Sequence, residues 1–171
     1  MLFFRQMATK ALITPEQYLA ANFEREPELV HGKIVERSLP DFPHGSIQLE
    51  LGSRLYSLRH SYPVFTGVEV RLRLAVDLYR IPDISMWEGA EPEKLPSSPP
   101  LLVVEVVSPD DRVNDLLQKL EEYRVWGVRH IWLVEPELKQ IHVYENGSLT
   151  RVARFELPRF GLAVTAGELF R

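Results

Sequence analysis

The sequence predicts an α/β protein with a central mixed sheet flanked by helices, and three observations predict it. An apolar run, Leu101-Leu102-Val103-Val104-Glu105-Val106-Val107, has the composition of a strand covered on both faces. Two long stretches, one before that run and one after it, repeat apolar residues at helical spacing. Segments of strand character stand on both sides of each, giving the order α-β-β-α-β-β-β-α-β-β-β. The 171 residues are read as one domain spanning 1–171, with residues 1–12 expected to be poorly ordered and Met7 an alternative start.

The elements follow from local signals. Thr14-Pro15-Glu16-Gln17 starts a helix, with Thr as N-cap, Pro at the first position and Gln17 completing a capping box. It is expected to end near Phe23, before Pro27. Glu28–Arg37 reads as two short strands around a His31-Gly32 turn. From His44 to His60, Ile47, Leu51, Leu55 and Leu58 form one helical stripe, with Gly52 read as room for a closely packed strand. Pro63–Gly67 and then Val68–Val76 read as a strand pair, the second alternating Val68, Val70, Leu72 and Leu74 with charged residues. Leu78–Glu88 reads as a third strand. Asp83, Ser85 and Trp87 fall on one face, Ile84 and Met86 on the other, and Pro82 marks an edge or a strand start.

Residues 88–100 are a loop by composition, expected as a flap over the site. Ser108-Pro109-Asp110-Asp111 is read as a helix start, Val113, Leu116, Leu117, Leu120 and Tyr123 as its stripe, and Gly127 as its stop. Val128–Pro136 is a strand. Asn146-Gly147 turns a hairpin, and the tail gives a strand fragment and a last helical turn.

Composition sets limits on function. Hydrophobic residues are 45% and charged residues 26%, ordinary for a globular protein. The absence of cysteine excludes a disulfide framework, a thiolate metal site and a cysteine nucleophile, and fits a reducing compartment, so a cytoplasmic location is expected. The net charge of −4 provides no global basic field, so nucleic acid would have to be met by a local patch or a metal. The first thirteen residues, MLFFRQMATKALI, are too short and too often interrupted by charge for a spanning helix or signal peptide, and no membrane partner is expected. The strands around Trp132 and Val143-Tyr144 are expected to need covering, which points to a homodimer. There is no G-x-S-x-G, no phosphate-binding Gly-rich loop and no zinc spacing around His130 or His142.

Two carboxylates and one lysine stand out. Glu105 has two apolar residues on each side, and a buried carboxylate is costly unless paired or bound to a metal. Its ordinary reading is a strand-end glutamate reaching solvent or an arginine. Asp83 follows a proline and reads otherwise as a strand-start aspartate. On the helical wheel, with Leu116 at zero, Lys119 falls at ~300° and Asp115 at ~260°, so Lys119 borders the apolar stripe. Its stem can run along the sheet and bring the ammonium towards Glu105; its ordinary reading is an Asp115–Lys119 helix pair. Glu50 lies off the stripe of its helix and reads as solvated. His44 reads as a helix cap or a substrate contact. Arg71, Arg73 and Arg80 read as a local basic surface for phosphates, or as a solvated sheet face.

Pro82-Asp83, Glu105-Val106-Val107-Ser108-Pro109, Lys119, Tyr123, Gly127-Val128 and Trp132-Leu133-Val134-Glu135-Pro136 together resemble the Uma-two family of endonuclease-like proteins. That family lies within the PD-(D/E)XK restriction-endonuclease-like superfamily. Glu28-Leu29-Val30-His31-Gly32-Lys33-Ile34-Val35 resembles the family's opening hairpin, and His44 with Ile47 the start of its first core helix. The resemblance implies a restriction-endonuclease-like core, αβββαβ, with an N-terminal helix and hairpin added. It implies Asp83 and Glu105 as ligands of Mg²⁺ or Mn²⁺, with the backbone carbonyl of Val106 as a further oxygen. The superfamily's lysine two residues after the glutamate is Val107 here; the family's lysine from the next helix corresponds to Lys119, with Tyr123 and Asp115 in support. A helix acid joins the metal shell in some superfamily members, which would be Glu50. The implied activity is metal-dependent hydrolysis of phosphodiesters in nucleic acid, foremost DNA. A nuclease-derived binding or interaction domain without turnover is the alternative. A third reading is an oligomerising module whose carboxylates only pair with arginines.

Overall fold

A computed structural model describes residues 12–171. The expectation of poor order over residues 1–12 therefore falls, Leu12 apart, outside the described residues. The chain runs α1 (Pro15–Ala20), β1 (Glu28–Val30), β2 (Lys33–Val35), α2 (Phe42–Ser57), β3 (Val64–Val68), β4 (Leu72–Ala75), β5 (Leu78–Arg80), β6 (Ile84–Glu88), β7 (Leu102–Val106), α3 (Val113–Trp126), β8 (His130–Glu135), β9 (Gln140–Glu145), β10 (Ser148–Val152), β11 (Arg154–Leu157), β12 (Leu162–Thr165) and α4 (Ala166–Leu169). The fold is mixed α/β, built on a six-stranded sheet ordered β10-β9-β8-β7-β6-β3. Its centre is β7, antiparallel to β6 and parallel to β8, with α3 as the crossover. The restriction-endonuclease-like core is α2-β3-β6-β7-α3-β8. β4 and β5 are inserted between its first two strands and join the N-terminal hairpin in a second sheet, β2-β1-β5-β4.

Strand alternation sorts the core into two layers. Leu102, Val104 and Val106 of β7, with Ile84 and Met86 of β6, pack against Ile47, Leu51 and Leu55 of α2. Val103 of β7 and Trp87 of β6 pack on the other face, against Leu120 and Tyr123 of α3. Glu105 is in phase with Val103 and so looks towards α3. All five β7 residues are buried, as the apolar run predicts.

Several local signals act as predicted. Thr14 and Gln17 form the capping box of α1, which nevertheless stops at Ala20 rather than near Phe23. His31 and Gly32 turn the first hairpin with φ of 49° and 79°, and Asn146 and Gly147 the last with 52° and 76°. Gly127 closes α3 at φ 114°.

Other expectations are corrected. The strands expected over Pro63–Gly67 and Val68–Val76 are β3 and β4, which do not pair with each other and lie in different sheets. The backbone of Glu69 turns to φ 50°, ending β3 and sending β4 into the second sheet. Val68 is left 55% exposed. Leu78–Glu88 splits at Ile81–Asp83 into β5 and β6, each in a different sheet. Gly52 does not mark a close approach, since a Cβ there would meet Val68 and Ile84 at 3.8 and 3.9 Å, ordinary contact distances. Helix α3 begins at Val113; Ser108–Asp111 is a separate turn, in which the Asp111 carboxylate accepts from Ser108 N–H at 2.8 Å. Trp132 needs no second copy to cover it, because Phe155 stacks on it within the chain at 4.3 Å, and Tyr144 is buried too. The homodimer thereby loses the premise drawn from these strands.

Candidate active site

A cleft of about 220 Å³ opens where the two sheets meet the start of α3. Its lining includes Glu28, His44, Arg80, Asp83, Glu105, Val106 and Lys119. Asp83, Glu105 and Lys119, far apart in sequence, are thus brought together. Asp83 stands just before β6, at the break that Pro82 makes between the two sheets. Its Oδ2 accepts from Val106 N–H of β7 at 2.6 Å, and its Oδ1 lies 3.0 Å from His44 Nε2. Glu105 is near the end of β7. Its Oε1 accepts from the Tyr123 hydroxyl at 2.8 Å and pairs with Lys119 Nζ, also at 2.8 Å.

The substitution at Val107 has a simple spatial counterpart. Val107 shares the sheet face of Glu105 and packs partly buried with the α3-side cluster. Lys119 reaches the same region from α3 overhead, with its side chain only 13% exposed.

The electrostatics are those of too many acids in one buried place. Burial pushes the Glu105 carboxyl up to about 7; Lys119 pulls it down, while Asp83 and Glu28 raise it further. Burial lowers Lys119, but Glu105 and Glu28 outweigh it and hold the ammonium above its usual range. Tyr123 is driven well up by burial and by Glu105, so it stays a donor. Burial lowers His44, and the bond to Asp83 outweighs that and raises it.

The donor set suits a hard divalent cation. Asp83, Glu105 and Val106 all line the cleft, and Glu105 is a carboxylate that a nearby cation would help to ionise. Among the described residues no group of three or more His, Asp or Glu side chains is arranged to enclose a metal. The fit is therefore to an ion such as Mg²⁺ that takes one or two carboxylates and keeps its waters.

Two residues of the site were misjudged or missed. His44 is not a cap: Asp41 caps α2, accepting from the His44 backbone at 2.9 Å, which frees the ring. That ring bridges Asp83 and Ser108, whose Oγ lies 3.2 Å from Nδ1. Glu28 carries no site signal in its local sequence. It is 3% exposed, accepts from Ile81 N–H at 2.8 Å, and pairs with Arg80 and Lys119 at 2.9 Å each. An acid opening a short hairpin strand is ordinary in sequence, and its partners lie in distant elements; only the family-like hairpin around it offered a signal.

Other expectations do not converge on the cleft. Glu50 is away from it and pairs with Arg54 at 2.7 Å on the outer side of α2. Asp115 lines the cleft but is exposed, and Lys119 pairs with Glu28 and Glu105 rather than with it. Arg80 is no surface contact, being 5% exposed and bound to Glu28 and Glu122. Arg71 lies over the Tyr18 ring and pairs with Glu26, while Arg73 is exposed outside the cleft. The cleft arginines besides Arg80 are Arg25, Arg37 and Arg112. Loop 88–100 does not cover the site; none of it lines the cleft, and it packs Leu95 against Tyr18, Leu29 and Tyr79.

Comparison with known proteins agrees with this architecture. The family model Uma2, described as "Putative restriction endonuclease", matches residues 15–164. The fold is similar to the crystal structure of "a putative nuclease belonging to DUF820" from Anabaena variabilis ATCC 29413. The TM-score is 0.81 at 23% identity, covering 92% of this chain and 97% of that one. A DrdV–DNA complex gives a TM-score of 0.40 at 16% identity over 70% of this chain and 10% of that one, too slight to argue from. No curated protein matches. With the family model spanning α1 to β12, the chain belongs to the Uma2 family of restriction-endonuclease-like proteins.

Proposed function

We propose that this chain is a divalent-metal-dependent endonuclease that hydrolyses phosphodiester bonds of nucleic acid, foremost DNA. The observation that carries the reading is the meeting of Asp83 from the break before β6, Glu105 from β7 and Lys119 from α3 in the lining of one cleft. Lys119 Nζ stands 2.8 Å from Glu105 although the strand position two residues after Glu105 is a valine.

Asp83 and Glu105, with the Val106 carbonyl, would hold Mg²⁺ or Mn²⁺. The ion would supply Lewis acidity towards a phosphoryl oxygen and a lowered pKa for a bound water. The chain's own residues do the rest. Lys119 brings fixed positive charge to where negative charge grows on the phosphate, in a site already shaped for it. Tyr123 and His44 hold the two carboxylates in orientation. Arg25 and Arg112 at the cleft offer the phosphate contacts expected of Arg71, Arg73 and Arg80, whereas Arg37 is 12% exposed, pairs with Glu69 and stands 4.0 Å from Asp83.

The test is cleavage of single- and double-stranded DNA and RNA with Mg²⁺ or Mn²⁺. Asp83→Ala, Glu105→Ala and Lys119→Ala should each lose on the order of 100-fold or more in rate. Equal cleavage by the wild type and all three variants would defeat the reading. A binding domain without turnover is the second reading. Its support is the Lys119 ammonium, already paired with Glu28 and Glu105, and the want of a three-ligand metal cage among the described residues. Salt-dependent DNA binding that survives Asp83→Ala, with no cleavage in either metal, would favour it.

A further inference from the structure

A lysine delivered from a helix has a long stem to control. Lys119 Nζ has two carboxylate partners, Glu105 at 2.8 Å and Glu28 at 2.9 Å. Glu105 is the one with a second task, facing the cleft as a metal ligand in the reading above. Glu28 has no such task, and its own place is fixed on every side. Its Oε1 accepts from Ile81 N–H at 2.8 Å, and its Oε2 from Arg80 Nη1 at 2.9 Å. Arg80 Nε in turn donates at 2.7 Å to Glu122, on the same helix as Lys119. The result is a closed ring: Glu28 to Lys119 of α3, and Glu28 through Arg80 to Glu122 of α3. Ile81 is two residues ahead of Asp83, so the same carboxylate also fixes the approach to the first acid.

Charge supports this division. Burial raises the Glu28 carboxyl, but Lys119, Arg80 and the Ile81 N–H outweigh it and hold it below the usual carboxylate range. Glu28 thus remains an anion, 3% exposed, beneath the ammonium.

We propose that Glu28 is a positioning residue that aims Lys119, so that the N-terminal hairpin completes the site rather than decorating the core. The proposal rests on the nuclease reading for its purpose, but the positioning itself can be measured without any cleavage. Glu28 touches neither metal nor phosphate in this role. It holds the ammonium where the strand lysine of the wider superfamily would otherwise be needed.

The test uses the full chain, metal-free, with ¹⁵N-labelled lysine. The Lys119 ammonium resonance, identified by its loss in Lys119→Met, reports how firmly the group is held. Glu28→Gln should abolish it or speed its proton exchange at least about tenfold, while leaving Mn²⁺ binding by calorimetry within a few-fold; a supporting group of this kind is worth about 10- to 100-fold. Cleavage by Glu28→Gln should lose kcat on that scale with KM little changed. Glu28→Asp, which keeps the charge on a shorter stem, should fall between wild type and Glu28→Gln. Glu122→Gln weakens the ring but leaves the Glu28–Lys119 pair, and should lower Tm without moving the Lys119 resonance. If Glu28→Gln fails to fold, Glu28→Asp decides alone, and exchange equal to wild type overturns the proposal. A Lys119 resonance unchanged in Glu28→Gln overturns it as well, as does an equal response to Glu28→Gln and Glu122→Gln, which would mark Glu28 as structural only. If Glu28→Gln frees Lys119 but wild type cleaves nothing with Mg²⁺ or Mn²⁺, the positioning stands and the nuclease reading falls.

Discussion

At the scale of single residues, a side chain was legible when it broke the pattern around it. Glu105 interrupts an apolar strand, Asp83 follows a strand-breaking proline, and Lys119 borders an apolar stripe. Each anomaly has a physical cost that something in the fold must offset. His44 and Glu28 break no pattern, because a histidine near a helix start and an acid opening a hairpin strand are both ordinary. Their meaning lies in partners, Asp83 and Ser108 for one and Ile81, Arg80 and Lys119 for the other, that no local window contains. Sequence spacing also paired Lys119 with Asp115, whereas the ammonium prefers the buried acids below it. His44→Ala should lower Mn²⁺ affinity about 10- to 100-fold by calorimetry, because Asp83 loses the group that orients it. Unchanged affinity would mean that Val106 N–H suffices to hold the aspartate.

At the scale of elements, the cap of α1, the stop of α3 and the hairpin turns are legible, and the starts of α2 and α3 and the strand boundaries are less so. Helix α2 begins at Phe42 and gives way to a 3-10 turn at Leu58 rather than running from His44 to His60. Its Ile47, Leu51 and Leu55 stripe and the Gly127 stop of α3 follow from sequence-local sterics and appear where expected. The break at Glu69 does not, since a glutamate at positive φ has no composition signal. It lies in the three-residue connection between β3 and β4, which belong to different sheets. Gly127→Ala should cost about 1–2 kcal/mol by chemical denaturation, through its left-handed backbone. A Cβ there would meet Pro99 Cγ at 3.4 Å, an ordinary contact, so the cost belongs to the backbone. A loss below a few tenths of a kcal/mol would show that the helix end relaxes freely.

At the scale of the whole molecule, the core was legible because the two-faced burial of β7 is written in its composition. The second sheet was not, because its four strands are three or four residues long and come from two separated hairpins. Stability should track the buried acids with pH. Glu105, raised to about 7, favours the folded chain fully below its ordinary value of 4.5, and this advantage is lost as the pH rises through 7. Glu28, lowered, acts oppositely: its contribution is present above 4.5 and lost as the pH falls through its folded value. Urea titrations at pH 5 and 8 without metal should show wild type weaker at pH 8, with the difference largely removed in Glu105→Gln. Mn²⁺ should stabilise wild type more at pH 8 than at pH 5, since protons compete for the same carboxylate. A flat profile in both proteins would mean that Lys119 neutralises Glu105 throughout.

The bond between Glu28 and the Ile81 amide joins positions 53 apart in the chain. Contacts of such separation are entropically slow to close, and they form after local helices and hairpins have appeared. The cleft should therefore be assembled late, once the small sheet docks on the large one. In kinetic terms, Glu28→Gln should quicken unfolding while leaving the refolding rate nearly untouched, whereas Leu51→Ala in the α2 layer should slow refolding as well. Stopped-flow chevrons separate these outcomes. A chain that behaves this way has its core in place before it has its chemistry, and it can lose the second without surrendering the first.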